Sequence, residues 1–379
     1  MISSQITWIW QQPDWPRFTW QDEIIQPLLR SARLKQGILL GKTGLVRGDA
    51  DSQAALDLLL QNIITSSAIE GEQLNAESVR SSLAKRLGLL DMVQAYPTSN
   101  RSEGLADMML DAVGNLDVPL TLERLFQWHR WLFTEDEFAL QPVGVGQLRG
   151  DEPMQVVSGR IEKPTVHFEA PPRDVLASEL ADFIVWFNQS RNNALLDPLL
   201  RAAICHFWLI TLHPFDDGNG RISRALADRA LAQADSQSIR LYAMSAVILE
   251  RRSDYYRALE QSQRGTVDIT EWLEWFIQCL KATLDVSLDL IESTLTKTRF
   301  WQCHHEAGLL AEQIKVLNRL LDGGKKGFEE GISASQYQKV AKVSKATATR
   351  HLGDLLAKGC IEKLPGGGRN TRYQINFSE

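Results

Sequence analysis

Apolar positions recur at helical spacing through most of the chain. From Asp51, whose carboxylate can cap a first turn, Ala55, Leu58, Leu59, Ile63 and Ile64 fall on one face, and the pattern runs through 66–70 before stopping near Gly71. Similar spacing predicts helices over 122–133, 176–187, 199–212, 222–232 and 269–296. Asp197-Pro198 marks a helix start, a capping carboxylate followed by proline at the first helical position. Between Gly150 and Pro172 the periodicity changes, and 156–160 and 165–168 read as two short extended pieces of a hairpin. Beyond about 305 come a helix over 309–321, a Gly323-Gly324 break, short helices over 335–340 and 344–358, and an alternating pair, 360–364 and 371–375, around Pro365-Gly366-Gly367-Gly368. Three helices and a terminal hairpin spell a winged helix. The first residues instead gather Trp8, Trp10, Trp15, Phe18 and Trp20 around Pro13 and Pro16, aromatic rings suited to capping a helical core.

The 379 residues, 44% apolar and 23% charged, supply material for two or three domains and exclude a disordered tail, a collagen or a disulfide-knit miniprotein. A formal charge of -6 gives no global basic field for nucleic acid or anionic lipid. Cys205, Cys279, Cys303 and Cys360 are far apart and form no C-x-x-C pair, so neither a zinc knuckle nor a disulfide framework is expected, and a reducing cytoplasm is. No basic segment followed by an apolar stretch opens the chain and no apolar run is long enough for a bilayer, so neither export nor a membrane partner is expected.

Two motifs resemble ligand loops and fail. Gly37-Ile38-Leu39-Leu40-Gly41-Lys42-Thr43 is one residue short of the phosphate loop G-x-x-x-x-G-K-[ST], with no buried strand before it. A calcium loop opening at Asp217 would place Arg221 at ligand position five and Asp228 where a glutamate is required. The segment 213–224 between two amphipathic stretches does suit an anion. Gly218 and Gly220 let the backbone turn tightly and approach a ligand, and the helix beginning near Arg221 points its positive end there. Arg221 and Arg224, three apart, put two guanidinium forks within reach of a polyphosphate. Asp217 offers a hard oxygen for magnesium, and His213 is the group able to take a proton near neutral pH.

His213-Pro214-Phe215-Asp216-Asp217-Gly218-Asn219-Gly220-Arg221-Ile222-Ser223-Arg224 matches H-P-F-x-[D/E]-G-N-G-R-x-x-R at all nine fixed positions, and on these residues the chain resembles the Fic family. The resemblance extends roughly over 100–290, where the helices and the hairpin resemble the family's helical core and target-positioning flap. It implies a mainly α protein, a Fic helical core with a β-hairpin flap plus a C-terminal winged helix-turn-helix, that transfers AMP from ATP to a hydroxyl of a target protein, itself included, with Mg2+ as cofactor. Carried over by position, His213 is the base, Asp217 holds Mg2+ between the α- and β-phosphates, and Asn219 with the Gly218 and Gly220 amides stabilises the transferred phosphate. Arg221 and Arg224 grip the β- and γ-phosphates, and Phe215 anchors the loop in the core.

Ser66-Ser67-Ala68-Ile69-Glu70-Gly71 resembles the family's inhibitory motif [S/T]-x-x-x-E-[G/N], although the same residues also suit an ordinary helix C-terminus. The resemblance implies that Glu70 pairs with Arg224 and occupies the guanidinium that clamps the γ-phosphate. In the flap, Thr165, Val166, His167 and Phe168 would add an extended strand of the target by edge pairing, with His167 as an exposed polar tip. Tyr255-Tyr256-Arg257-Ala258-Leu259 resembles a family segment near the base pocket. Gln263 stands where the family has asparagine, which leaves purine specificity open.

Residues 333–379 carry eight Lys or Arg against three acids, a net of +5, which leaves -11 on the rest of the chain. A basic module on an acidic protein suits DNA, with Lys345, Thr347, Thr349 and Arg350 toward the groove and Arg369 and Arg372 on the wing. Winged helices also serve as dimerisation or protein-docking modules, and salt-dependent retention on duplex DNA separates the two. The expected organisation is an N-terminal helical regulatory region over 1–95, a Fic catalytic domain over 96–300 and a winged helix domain over 305–379. Rival readings are removal of AMP or transfer of another phosphate group at the same site, and a DNA-binding regulator that uses the core as a nucleotide sensor. The target, and the oligomeric state with a homodimer included, stay open.

Overall fold

The computed structural model describes residues 7–43, 49–133, 143–160, 163–235, 243–322, 328, 330–365 and 371–377. The architecture is mainly helical, with two small two-stranded sheets. In chain order the first elements are α1 (Asp22–Thr43), α2 (Asp49–Ile69), α3 (Ala76–Leu87), α4 (Asn100–Gly114) and α5 (Leu122–Leu132). The hairpin β1 (Gln155–Arg160) and β2 (Lys163–Glu169) follows, then α6 (Arg173–Ser190), α7 (Pro198–Leu212), α8 (Asn219–Asp235), α9 (Met244–Glu250), α10 (Arg252–Ser262) and α11 (Thr270–Cys303). The last elements are α12 (Ala311–Leu321), α13 (Ala334–Ala341), α14 (Lys345–Ala357), β3 (Ile361–Lys363) and β4 (Tyr373–Ile375). The chain divides into two compact units, Met1–Asp285 and Val286–Glu379, so the first 95 residues and the helices after them share one unit.

The first unit is built around α7. Its sequence from Leu199 to Leu212 is apolar almost all round, and every one of those residues is buried, which is what an interior helix requires. Asp197 starts it as expected, its carboxylate accepting from the Leu199 N–H at 2.8 Å with Pro198 in the first turn. Helix α8 packs alongside α7, and α4 and α2 pack on α8. The N-terminal aromatics close one end of this core: Phe18 packs edge-on against Phe207 and Trp208, and Trp15 against Trp208. Gly37 to Thr43 lies inside α1, so it forms no phosphate loop.

Helices α4 and α5 approach closely at Gly104, where a Cβ would lie 2.1 Å from the Trp131 carbonyl oxygen. Only a residue without a side chain fits this crossing. Gly104→Ala is therefore expected to cost about 1–3 kcal/mol of stability through overpacking, read as a lower denaturant midpoint at unchanged m-value.

The hairpin strands pair antiparallel, with Val157 opposite Val166, Ser158 opposite Thr165 and an irregularity between Val156 and Val157. Trp8 packs edge-on against Phe168 at 5.4 Å between ring centres, fastening β2 to the N-terminal segment.

In the second unit, α12, α13 and α14 with the β3–β4 hairpin enclose a core that includes Val316, Leu317, Tyr337, Leu352, Leu355 and Ile361. The turn between α13 and α14 is made by Lys342 at a positive φ of 55°. All four cysteines are free. Among the described residues no helix is long and apolar enough to cross a membrane.

Candidate active site

The site is the bend between α7 and α8. His213 ends α7 in the left-handed region at φ 49° and ψ 57°, its N–H donating to the Leu209 carbonyl. Gly218 turns the chain again at φ +83°, where a Cβ would also lie 2.9 Å from the Phe133 ring. Between these turns Asn219 locks the loop on itself: its side-chain oxygen accepts from the Phe215 N–H at 3.0 Å and its amide donates to the Phe215 carbonyl at 2.8 Å. Phe215 is fully buried and stacked on His129 at 4.3 Å.

His213 Nδ1 lies 3.2 Å from the Ile210 carbonyl oxygen. A carbonyl only accepts, so Nδ1 carries the proton and the lone pair sits on Nε2. Burial, helped by the nearby Arg149 charge, holds the imidazole below its ordinary pKa against the opposing effects of the Ile210 bond, Glu70 and Asp217. At neutral pH the ring is a neutral base. Asp217 also faces the cavity, its side chain 57% exposed and 3.4 Å from Arg221 Nη2.

Neither signature arginine lines the cavity beside the bend. Arg224 donates from Nε to the Ser66 hydroxyl at 2.9 Å and from Nη2 to the Ser66 carbonyl at 2.9 Å and to Glu70 Oε1 at 2.7 Å. Among the described residues its buried Nη1 has no hydrogen-bond partner. Arg221 donates from Nη1 to Glu72 Oε2 at 2.8 Å. Arg224 thus meets Glu70, the acid of the inhibitory motif, and Arg221 meets Glu72.

Glu70 reaches Arg224 because α2 ends in a closed corner. Gly71, at φ +84°, lets its own N–H bond the Ala68 carbonyl and the Glu72 N–H bond the Ser67 carbonyl, the paired closure of a Schellman turn. The Glu70 carboxylate then sits over the N-terminus of α8, so near that a Cβ on Gly220 would lie 2.1 Å from Oε1. Burial would raise the pKa of this carboxyl, but the charge and hydrogen bond of Arg224, with Arg221 and Arg252, hold it below the usual carboxylate range.

A cavity of about 650 Å³ opens beside the bend, lined by His213, Asp217, Gly218, Asn219 and Gly220 on one side and Tyr255, Tyr256 and Gln263 on another. That is room for a nucleotide. Gln263 is buried and donates to the Thr211 hydroxyl at 3.1 Å, and Tyr255 is hydrogen-bonded to His206 at 3.0 Å. Arg252, which also lines the cavity, lies over the Tyr256 ring.

The hairpin borders the same cavity through Val156, Val157, Ser158, His167 and Phe168. One expectation changes here, that of His167 as an exposed tip. Phe168 is 2% exposed and committed to Trp8, because alternate strand positions face opposite sides and its side has a cover. His167 is half-buried rather than a polar tip, with Nδ1 2.9 Å from Glu260 and Nε2 2.6 Å from the Ser158 hydroxyl. Thr165 is exposed and Val166 half-buried.

Several residues that hold the site carry no motif. Arg149 is buried; its Nε donates to the His213 carbonyl at 2.8 Å, its Nη2 to the Pro171 carbonyl, and its backbone N–H to the Pro214 carbonyl at 3.0 Å. It fixes the left-handed His213 backbone and ties it to the chain beyond β2. His129 donates from Nε2 to the Asp217 carbonyl and accepts the Gly146 N–H at Nδ1. Apart from these, Glu72 bridges Arg221 to Arg101 of α4, a residue that does not line the cavity.

In the second unit Lys345, Thr349 and Arg350 are exposed, and Thr347 is taken up in the N-cap of α14 with Ser344. Arg372, its side chain 37% exposed, donates to the Gly331 carbonyl at 3.0 Å, lies 3.8 Å from Glu330 and lines one groove with Lys345 and Thr349. Arg369 lies outside the described residues.

Comparison with known proteins places this geometry. Residues 119–231 match the Fic/DOC family, and residues 8–89 match a domain of unknown function (DUF4172). The chain is 28% identical over 236 residues to the protein named Protein adenylyltransferase Fic in Drosophila mojavensis, covering 62% of this chain and 42% of that one. The protein of the same name in Drosophila melanogaster is also 28% identical over 236 residues, with 62% and 43% covered. The chain thus spans less than half the length of the curated relatives it matches. In fold it is similar to a Fic family protein from Desulfovibrio desulfuricans G20, with a TM-score of 0.54 at 20% identity, over 96% of this chain and 99% of that one. Residues 119–231, which hold the bend, its arginines and the hairpin, are a Fic/DOC family domain.

Proposed function

We propose that the chain is a self-inhibited protein adenylyltransferase, transferring AMP from ATP to a side-chain hydroxyl of a target protein and of itself. The observation that carries the reading is a neutral imidazole with its lone pair on Nε2, on the wall of a nucleotide-sized cavity at the N-terminus of α8. In the step, His213 Nε2 takes the proton of the incoming hydroxyl as its oxygen bonds the α-phosphorus. The bond from that phosphorus to the bridging oxygen of the β-phosphate breaks, and pyrophosphate leaves with the electron pair. The backbone N–H groups at Gly218 and Gly220, at the positive end of α8, support the charge on the transferred phosphate. Arg224, once released by Glu70, meets the far phosphate through Nη1 and Nη2.

The donor set also suits Mg2+. Asp217 presents an exposed hard oxygen, and among the described residues no three His, Cys, Asp or Glu side chains converge to hold a metal by themselves. Such a site would take its remaining ligands from phosphates and water, the usual habit of this ion. When bound, Mg2+ would neutralise phosphate charge.

The depressed pKa of His213 sets the pH dependence. A base must be unprotonated, so the transfer rate of Glu70→Gly protein is expected to rise with pH through a midpoint below the ordinary imidazole value of about 6.5 and to stay level from there to about pH 8. Initial rates with α-labelled ATP from pH 5 to 8 measure this, and a midpoint above 7 contradicts it. Loss of label from a pre-modified target, rather than gain, would instead favour removal of AMP. For the second unit we propose a winged helix with DNA contact through Lys345, Thr349 and Arg350, a reading supported by their exposure and the local +5 charge.

A further inference from the structure

We propose that Glu72 and Arg101 form an anchor that sets how firmly Glu70 restrains Arg224; the inference rests on the adenylyltransferase reading and names the device that tunes it. Glu72 stands two residues after Glu70, across the closed corner at Gly71. Both backbone bonds of that corner join it to the last turn of α2, so the two acids move as one piece. Glu70 holds Arg224. Glu72 is held in turn from two helices: Arg101 of α4 grips it with both forks, Nε to Oε1 and Nη2 to Oε2 at 2.7 Å each, and Arg221 of α8 donates to Oε2 at 2.8 Å.

The Phe133 ring lies beside both guanidinium groups, at 5.6 Å from Arg101 and 5.2 Å from Arg221. The side chains of Arg101 and Glu72 are 25% and 26% exposed, so the pair is shielded but reachable. A planar two-point grip fixes orientation as well as distance. To lift Glu70 from the N-terminus of α8, the corner must therefore also break or stretch the grip on Glu72. The anchor adds to the restraint although Arg101 itself touches neither Glu70 nor Arg224 among the contacts of those residues.

Arg101 is a positioning residue under this proposal, and its test is a cycle of variants in the full chain. Arg101→Gln in the otherwise unchanged protein is expected to raise self-labelling from α-labelled ATP by about fivefold or more, within the range of ordinary coupling between sites. The same change beside Glu70→Gly, where no restraint remains to be anchored, is expected to leave labelling within about twofold. Arg101→Lys, which keeps the charge and loses the two-point grip, should fall between. Hydrogen exchange at the Glu70, Gly71 and Glu72 amides should speed up in Arg101→Gln. An equal change in both backgrounds, or no rise in the first, or unaltered exchange at the corner, overturns the anchor. If Glu70→Gly protein itself takes no label, the transferase reading fails while exchange at the corner still decides whether Arg101 holds it.

Discussion

Glu70→Gly protein is expected to take up label from α-labelled ATP roughly 5 to 150 times faster than the unchanged chain, the span of a coupling worth 1–3 kcal/mol. The expectation follows from where the carboxylate sits. Arg224 is 3% exposed, with Nε and Nη2 committed to Ser66 and Glu70 and Nη1 buried, with no hydrogen-bond partner among the described residues. Glu70 Oε1 lies 2.1 Å from where a Cβ of Gly220 would be, over the amides that begin α8. On the proposed reading a phosphate oxygen would need that same place and that same guanidinium, so acid and phosphate would compete for them. Removing the acid leaves a buried cation that a triphosphate then pairs. Nucleotide should accordingly raise the unfolding midpoint of Glu70→Gly protein more than that of the unchanged chain. Equal labelling of the two proteins contradicts the restraint.

His213→Ala placed in the Glu70→Gly protein is expected to lower the transfer rate by roughly 100- to 10,000-fold, the contribution of a positioned general base. The loss should fall on kcat, with nucleotide affinity little changed, because the imidazole meets the reacting oxygen rather than holding the triphosphate. A drop confined to KM would assign the ring to binding. Residual turnover is expected to reflect the preorganised amides of the bend, which the substitution leaves in place.

Local patterns on this chain were legible where one element decides them. The continuous apolar run of α7, its Asp197-Pro198 start, the hairpin and the Gly218 turn of the bend all follow from short-range chemistry. What periodicity does not carry is which partner covers an exposed-looking side. Phe168 reads as one face of a strand, and only the return of Trp8, 160 positions earlier in sequence, shows that face to be closed. The same holds for the charges. Arg221 and Arg224 share a helix face, but their partners come from the end of α2, and the corner at Gly71 that presents Glu70 and Glu72 together is a tertiary fact. Arg149 and His129 have no motif at all; a lone arginine in a loop signals nothing until the carbonyls it serves are in place.

The most direct test compares two labels on one nucleotide. Glu70→Gly protein is incubated with Mg2+ and ATP labelled on either the α- or the γ-phosphorus, and the protein is separated and counted. Transfer of AMP with release of pyrophosphate predicts protein-bound α-label, no γ-label, and loss of the α-label when His213→Ala is added. Protein-bound γ-label, or α-label that persists without His213, would contradict it.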